Sequence, residues 1–140
     1  MKTRTQFMAD KKLKAMTLTE VLIVLVIVGI LTMLALPNFM NTITKAKSTE
    51  AKLQLESVHT LQKTYFYEFS KYSDNLEAID FEQVKLTTEG GSANYKIDIV
   101  QSTNTTFIAR ATAVVDFDGD GQMNVWEIDQ DKQLVEVTKD

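Results

Sequence analysis

The sequence predicts an α+β protein, in which one long N-terminal α-helix packs on a small antiparallel β-sheet head. Three observations support this fold class. Residues 21–36 are an uncharged apolar run, and residues 38–69 repeat apolar positions at steps of three and four. The remainder, residues 70–140, holds short segments of alternating apolar and polar residues between turns. A chain of 140 residues has room for about one such domain.

Residues 1–15 form a basic leader, with five Lys or Arg against one Asp. By the positive-inside rule this end stays in the cytoplasm. The rest of the chain has 10 basic and 18 acidic residues, a net charge of −8. We therefore expect no direct nucleic-acid partner, because phosphate binding needs a cationic face. The absence of cysteine from the sequence excludes disulfides and thiolate metal sites.

The segment 16–37 is predicted to be a membrane-spanning helix. From Met16 to Leu36 it has 21 residues with Glu20 as its one charge, about 32 Å at ~1.5 Å per residue. A buried core helix is disfavoured because so small a domain has no interior that could surround it. A cleaved secretory signal is disfavoured by the long run and by a poor cleavage site before Pro37. A plain signal anchor fits the length but leaves Glu20 unexplained.

The segment AMTLTEVLIVLVIVGILTMLALP resembles the class III leader of type IV pilins and type II secretion pseudopilins. In that family a prepilin peptidase removes the leader in front of the apolar helix. The resemblance implies cleavage between Ala15 and Met16, a methylated Met16 amino group, and Glu20 as the fifth mature residue. Ala15 stands where the family almost always has glycine, and Met16 where it more often has phenylalanine.

Two interpretations of Glu20 remain open. In a bundle of such helices its carboxylate can pair with the Met16 amino group of a neighbour. At ~4 Å and an effective dielectric of about 20 that attraction is about 4 kcal/mol, which would set the axial offset between copies. Alternatively, Thr17 and Glu20 form a capping box at the start of the helix.

The second half of the helix, residues 38–69, is amphipathic. Pro37 lacks an N–H group and predicts a kink at the junction. Apolar positions then mark one helical face, which we expect to cover the sheet: Ala51, Leu55, Val58, Leu61, Tyr65 and Phe69. The aromatic run at 65–69 is expected to be core rather than a binding platform. Strands are predicted near 95–99, 107–113, 125–128 and 134–137, and their short links favour antiparallel pairing.

The loop 116–127, DFDGDGQMNVWE, has the spacing of a calcium-binding loop. Calcium prefers six to eight oxygen ligands. The matching positions are Asp116, Asp118, Asp120, Gln122 through its carbonyl, Asn124 and Glu127. Because strands flank it, we expect a calcium loop between two strands rather than an EF-hand. If Glu127 faces away, the three aspartates and carbonyls remain, with Asp129 as a further donor. The alternative is an acidic solvated turn without metal.

These features together predict a filament subunit held in the inner membrane, with its N-terminus cytoplasmic and its head outside. The resemblance implies a homo-oligomeric filament built with a prepilin peptidase, an inner-membrane assembly platform and the secretion machinery. The compact head, the Ca²⁺ loop and the lack of cysteine favour a type II secretion pseudopilin. The alternatives are a surface pilus pilin for adhesion, twitching motility or DNA uptake, or an anchored calcium-binding module that does not polymerise. With His59 as the one imidazole, we expect no enzyme activity.

Overall fold

The computed structural model describes residues 16–139, and for residues 36–38, 40 and 41 it describes the backbone alone. Its elements in chain order are α1 (Leu18–Phe69), two 3₁₀ turns (Glu77–Ile79 and Thr87–Glu89), β1 (Tyr95–Ser102), β2 (Phe107–Ala113), β3 (Val125–Asp129) and β4 (Leu134–Thr138). These elements confirm the α+β class. Two compact units meet between residues 36 and 37, so the apolar part of α1 and the head are described separately.

The helix α1 keeps its helical assignment through residue 37. The kink expected at Pro37 stays a prediction. At the other end, Ser70 adopts a left-handed backbone with φ of 55°, and its N–H donates to the Phe66 carbonyl at 2.8 Å. This conformation turns the chain out of the helix and satisfies one of the terminal carbonyls.

The head contains one antiparallel sheet with strand order β1-β2-β3-β4. Each strand pairs with the next one in sequence, in the antiparallel arrangement that the sequence predicts. β1 is longer than the predicted strand, because pairing resumes after a register shift between Ile99 and Gln101 and continues to Ser102. The register sets Ile97 opposite Ala111 and Ala109 opposite Ile128, all on the inner face.

The core lies between this inner face and α1. The helix contributes Ala51, Leu55 and Val58, each fully buried. On β2 the buried inner-face positions include the small residues Ala109 and Ala111. Larger side chains from the neighbouring strands fill the space around them: Tyr95, Ile97, Phe107, Trp126 and Ile128. Burying an isoleucine, leucine, valine or phenylalanine side chain in this core contributes roughly 1.5–3 kcal/mol to stability.

Polar side chains also attach α1 to the head. The Glu50 carboxylate accepts the backbone N–H of Asn94 at 2.8 Å and its Nδ2 at 2.7 Å. Fully buried Gln62 donates to the Ser73 carbonyl at 2.7 Å and accepts the Ser73 N–H at 3.0 Å. These two groups of hydrogen bonds lie twelve residues apart on the helix, so together they fix both the position and the direction of the helix on the head.

Candidate functional site

The apolar stretch Leu18–Ala35 is a helix whose length and composition suffice to cross a membrane. Its side chains are exposed, with Leu18 at 86% and Met33 at 79% of full accessibility. Glu20 is its one charged residue. An isolated chain in water would therefore present a continuous apolar surface, which needs lipid or other protein to cover it.

Glu20 caps the start of this helix. Its Oε2 accepts the Thr17 backbone N–H at 2.8 Å and the Thr17 hydroxyl at 3.0 Å. In return, the Thr17 Oγ1 accepts the Glu20 N–H at 3.2 Å. This is the reciprocal capping box, and it confirms that the local interpretation of Glu20 holds in the single chain. Met16 lies just before it, whereas Ala15 and the basic leader lie outside the described residues.

The acidic loop follows β2 and gathers three carboxylates. One oxygen from each of Asp116, Asp118 and Asp120 lies within 4.8 Å of the other two. Gly119 and Gly121 have φ of 84° and 89°, a backbone conformation that favours glycine. The tight turns they allow place alternate side chains on one side of the loop. The structure therefore brings together the first three predicted calcium ligands.

Backbone N–H groups hold the carboxylate of Asp116 in place. Its Oδ2 accepts the N–H of Gly121 at 2.7 Å and its Oδ1 accepts that of Gly119 at 2.6 Å. Both bonds lower the pKa of Asp116, because they stabilise its charged form. The bond from Gly121 has the larger effect and the bond from Gly119 the smaller one. The Gln122 N–H donates in the same way to Asp120 at 2.7 Å. Hydrogen bonds between the loop's own backbone N–H groups and its carboxylates therefore hold the loop in this shape.

Phe117 anchors the acidic loop to the head, a role that the sequence analysis missed. It is 7% exposed, and its ring lies 5.8 Å from that of Tyr95. The Lys47 Nζ lies 4.4 Å from the centre of the Phe117 ring, which is a cation–π contact. The available signal was a single aromatic residue between two aspartates in an otherwise polar loop.

Two other predicted ligands, Asn124 and Glu127, bind elsewhere in the head. Asn124 is fully buried: its Oδ1 accepts the Tyr95 hydroxyl at 2.7 Å, and its Nδ2 donates to Glu136 at 2.8 Å and to the Thr138 carbonyl at 3.1 Å. Glu127 accepts the Arg110 Nε at 2.7 Å and lies outside the group of three aspartates. The full set of ligands predicted from the twelve-residue loop is therefore not brought together in this structure.

Two further side chains have structural partners. The Asp129 carboxylate accepts the N–H groups of Asp131 and Gln133, both at 2.9 Å, and so shapes the turn between β3 and β4. The His59 Nε2 lies 3.3 Å from the Gln130 carbonyl, and its ring packs on Phe107. These contacts place His59 where α1 meets the β3–β4 hairpin.

Comparison with known proteins identifies the family. Residues 10–36 match the prokaryotic N-terminal methylation motif. Residues 37–124, more than half of the chain, match the model described as type IV minor pilin ComP, DNA uptake sequence receptor. The chain belongs to the type IV pilin family. This confirms the resemblance found in the leader and apolar helix.

A relative of this pilin is the type IV major pilin protein PilA of Myxococcus xanthus (strain DK1622). The two are 41% identical over 68 residues, which are 49% of this chain. The aligned part spans 31% of PilA, about a third of its length. Both the matched head family and this relative are named as pilins of type IV pili, and neither is named as a pseudopilin.

Proposed function

We propose that this pilin is a subunit of a surface type IV pilus and that it polymerises through its N-terminal helix. The observation that carries the proposal is the exposed apolar helix Leu18–Ala35, which begins with the single charge of Glu20. A lipid bilayer covers that surface before assembly, and the helices of neighbouring copies cover it in the filament. The hydrophobic effect then favours both states over a dispersed chain.

The names of the matched proteins support a surface pilus over the secretion pseudopilus that the sequence alone favoured. The head model and the relative PilA both belong to pilus pilins. The test is to delete the gene and compare two phenotypes. We expect loss of filaments sheared from the cell surface, with exoprotein secretion unchanged. Secretion lost while surface filaments remain would return the assignment to the pseudopilus.

Processing between Ala15 and Met16 is part of the proposal, and the match over residues 10–36 supports it. Mass spectrometry of sheared filaments should identify an N-terminal peptide beginning with methylated Met16. A matched pair of variants sharpens the test: Ala15→Gly should be cleaved at least as well as the natural chain, and Ala15→Leu much less. Filaments made of chains that still begin at Met1 would contradict the proposal.

We propose further that the acidic loop binds Ca²⁺ through Asp116, Asp118 and Asp120. Their clustered oxygens are the hard donors that calcium prefers, and like charges so close together repel unless a cation is present. Three side chains are fewer than calcium's usual ligand number, so backbone carbonyls and water would complete the shell. The midpoint of thermal unfolding should fall by several degrees when a chelator removes Ca²⁺. An unchanged midpoint, together with no calcium binding by calorimetry, would contradict the proposal and show that the loop is an acidic turn that binds no metal.

DNA uptake is the second candidate function, because the family model that matches the head is named as a DNA uptake sequence receptor. The expectation of no direct nucleic-acid partner rested on the net charge of −8 beyond the leader. An electrophoretic shift assay of the full-length protein in detergent, with duplex DNA at two salt concentrations, separates the two expectations. Binding that weakens steeply with salt would support the receptor role.

A further inference from the structure

A groove of about 540 Å³ opens on the head beside the first turns of α1 that cover the sheet. Three lysines line it, Lys45 and Lys52 from α1 and Lys139 just after β4, and Trp126 forms part of its wall. The Lys52 Nζ lies 4.3 Å from the centre of the Trp126 ring. We call this feature the lysine groove.

The lysine groove is positive on a head that is otherwise acidic. Its one acidic lining residue is Glu136, whose carboxylate accepts a hydrogen bond from buried Asn124. The ion pairs Lys96–Asp98 and Arg110–Glu127 do not involve the groove lysines. The groove lining therefore has an excess of positive charge, three lysines against one glutamate, which favours an anionic occupant.

The complementary surface lies on the same head, near the C-terminal end of α1. Residues 74–82 contain four acidic residues and no basic one, and all four are exposed: Asp74, Glu77, Asp80 and Glu82. We call them the acidic segment. Asp80 and Ile79 line a small cavity together with Tyr65 and Phe69, so the segment lies against the last turns of the helix.

The two surfaces are too far apart to pair within one molecule. The groove lies at residues 44–52 of α1 and the acidic segment at residues 61–69. From residue 48 to residue 65 the helix rises about 25 Å, at about 1.5 Å per residue. Lysine and carboxylate side chains need to approach within about 4 Å to form a salt bridge.

We propose that the lysine groove of one copy receives the acidic segment of the next copy along the filament. This inference rests on the proposed function, because a filament aligns the α1 helices of its subunits. Opposite charges at the two ends of each head then meet between copies that point the same way. Antiparallel neighbours would instead bring like charges together, so the contact also selects the polarity of assembly.

Charge reversal tests the contact in cells that make the full-length protein. Lys45→Glu with Lys139→Glu should lower the yield of sheared filaments at least tenfold. Asp74→Lys with Glu77→Lys should do the same. The four substitutions combined should restore the yield to within about twofold of the natural chain. Lys71→Glu is the matched control: it is the same reversal beside the acidic segment, and assembly should be retained.

Cysteine cross-linking tests the geometry without relying on a disrupted assembly. The natural chain has no cysteine, so introduced pairs give an unambiguous product. Glu77→Cys with Lys139→Cys should form a ladder of disulfide-linked oligomers in intact filaments under mild oxidation. An intramolecular bond is excluded by the separation of the two ends, because disulfide Cβ atoms lie about 4 Å apart. Each single variant should give no ladder.

The outcomes separate this inference from the proposed function. If the natural chain forms no filaments, both are wrong. Normal filaments from Lys45→Glu with Lys139→Glu, or no ladder from the cysteine pair in normal filaments, overturn the inference alone. Normal filaments that lose binding to duplex DNA on lysine reversal would assign the groove to nucleic acid and also overturn it.

Discussion

Asn124 shows at the scale of one residue how the head is held together. Its buried amide makes three hydrogen bonds, to Tyr95 on β1 and to Glu136 and Thr138 on β4. Each such bond contributes about 1 kcal/mol net, so Asn124→Ala should lower the free energy of unfolding by about 2–3 kcal/mol. Urea unfolding of the full-length protein, followed by the fluorescence of the one tryptophan, measures it. Exposed Asn104→Ala is the control and should change stability by less than about 0.5 kcal/mol.

Two glutamines on α1 should lose different amounts of stability on the same substitution. Gln62 is fully buried, and its amide bonds both backbone groups of Ser73, whereas the Oε1 of Gln54 is buried without a partner among the described residues. Gln62→Leu should cost about 2–3 kcal/mol, because it leaves a buried N–H and C=O unpaired. Gln54→Leu should change stability by less than about 0.5 kcal/mol, because it removes the unpartnered oxygen together with the 3.1 Å bond that Gln54 Nε2 donates to Glu50. Equal losses in urea unfolding would show that these hydrogen bonds do not determine the difference.

Sequence spacing identified the acidic side chains of the loop but not their partners. Asp116, Asp118 and Asp120 were predictable because alternating residues in a tight turn share one side. Glu127 was not, because its direction depends on the pairing of β2 with β3, which places Arg110 directly opposite it. Strand register is a tertiary property, so twelve-residue spacing alone does not determine which carboxylates face a cation.

At the scale of elements, periodicity was sufficient to predict the class and order of the secondary structure. Alternation at 95–99 and 107–113 reflects one buried face, and the structure buries those inward positions, except that Ile99 is only partly buried. The sequence did not show that β1 continues beyond Ile99, since the extension follows a register shift. Nor did it show that Phe117 attaches the acidic loop to Tyr95, a long-range contact without a local pattern.

The acidic loop gives a prediction at the element scale. If the three aspartates bind Ca²⁺, Asp118→Asn should weaken calcium affinity at least tenfold, because it removes a charged ligand from a small set. Glu127→Gln should leave the affinity within about twofold, since Glu127 pairs with Arg110 instead. Isothermal titration calorimetry on the full-length protein measures both. A strong loss on Glu127→Gln would indicate that the loop closes around the cation and draws Glu127 away from Arg110.

At the scale of the whole molecule, the two compact units have different requirements. The head has a continuous core between α1 and its sheet, whereas the apolar stretch Leu18–Ala35 is exposed along its length. The apolar surface of this stretch therefore needs lipid or other protein to cover it. Apolar helices gain little orientation from hydrophobic contact alone, because that attraction is non-directional. We therefore expect the charge of Glu20 to favour one axial offset over another.

The two roles of Glu20 can be separated by variants that keep one and remove the other. Glu20→Gln retains the capping bonds, since glutamine also serves in a capping box, but it removes the charge that would pair with a neighbouring Met16 amino group. Thr17→Ala removes the cap and retains the charge.

If charge pairing sets the offset, Glu20→Gln should lower the yield of sheared filaments at least tenfold, while Thr17→Ala lowers it by less than about threefold. Immunoblots of the membrane fraction should show equal amounts of processed protein for both variants. The reverse order of the two yields would mean that Glu20 serves to start the helix, and that the offset between subunits is fixed elsewhere.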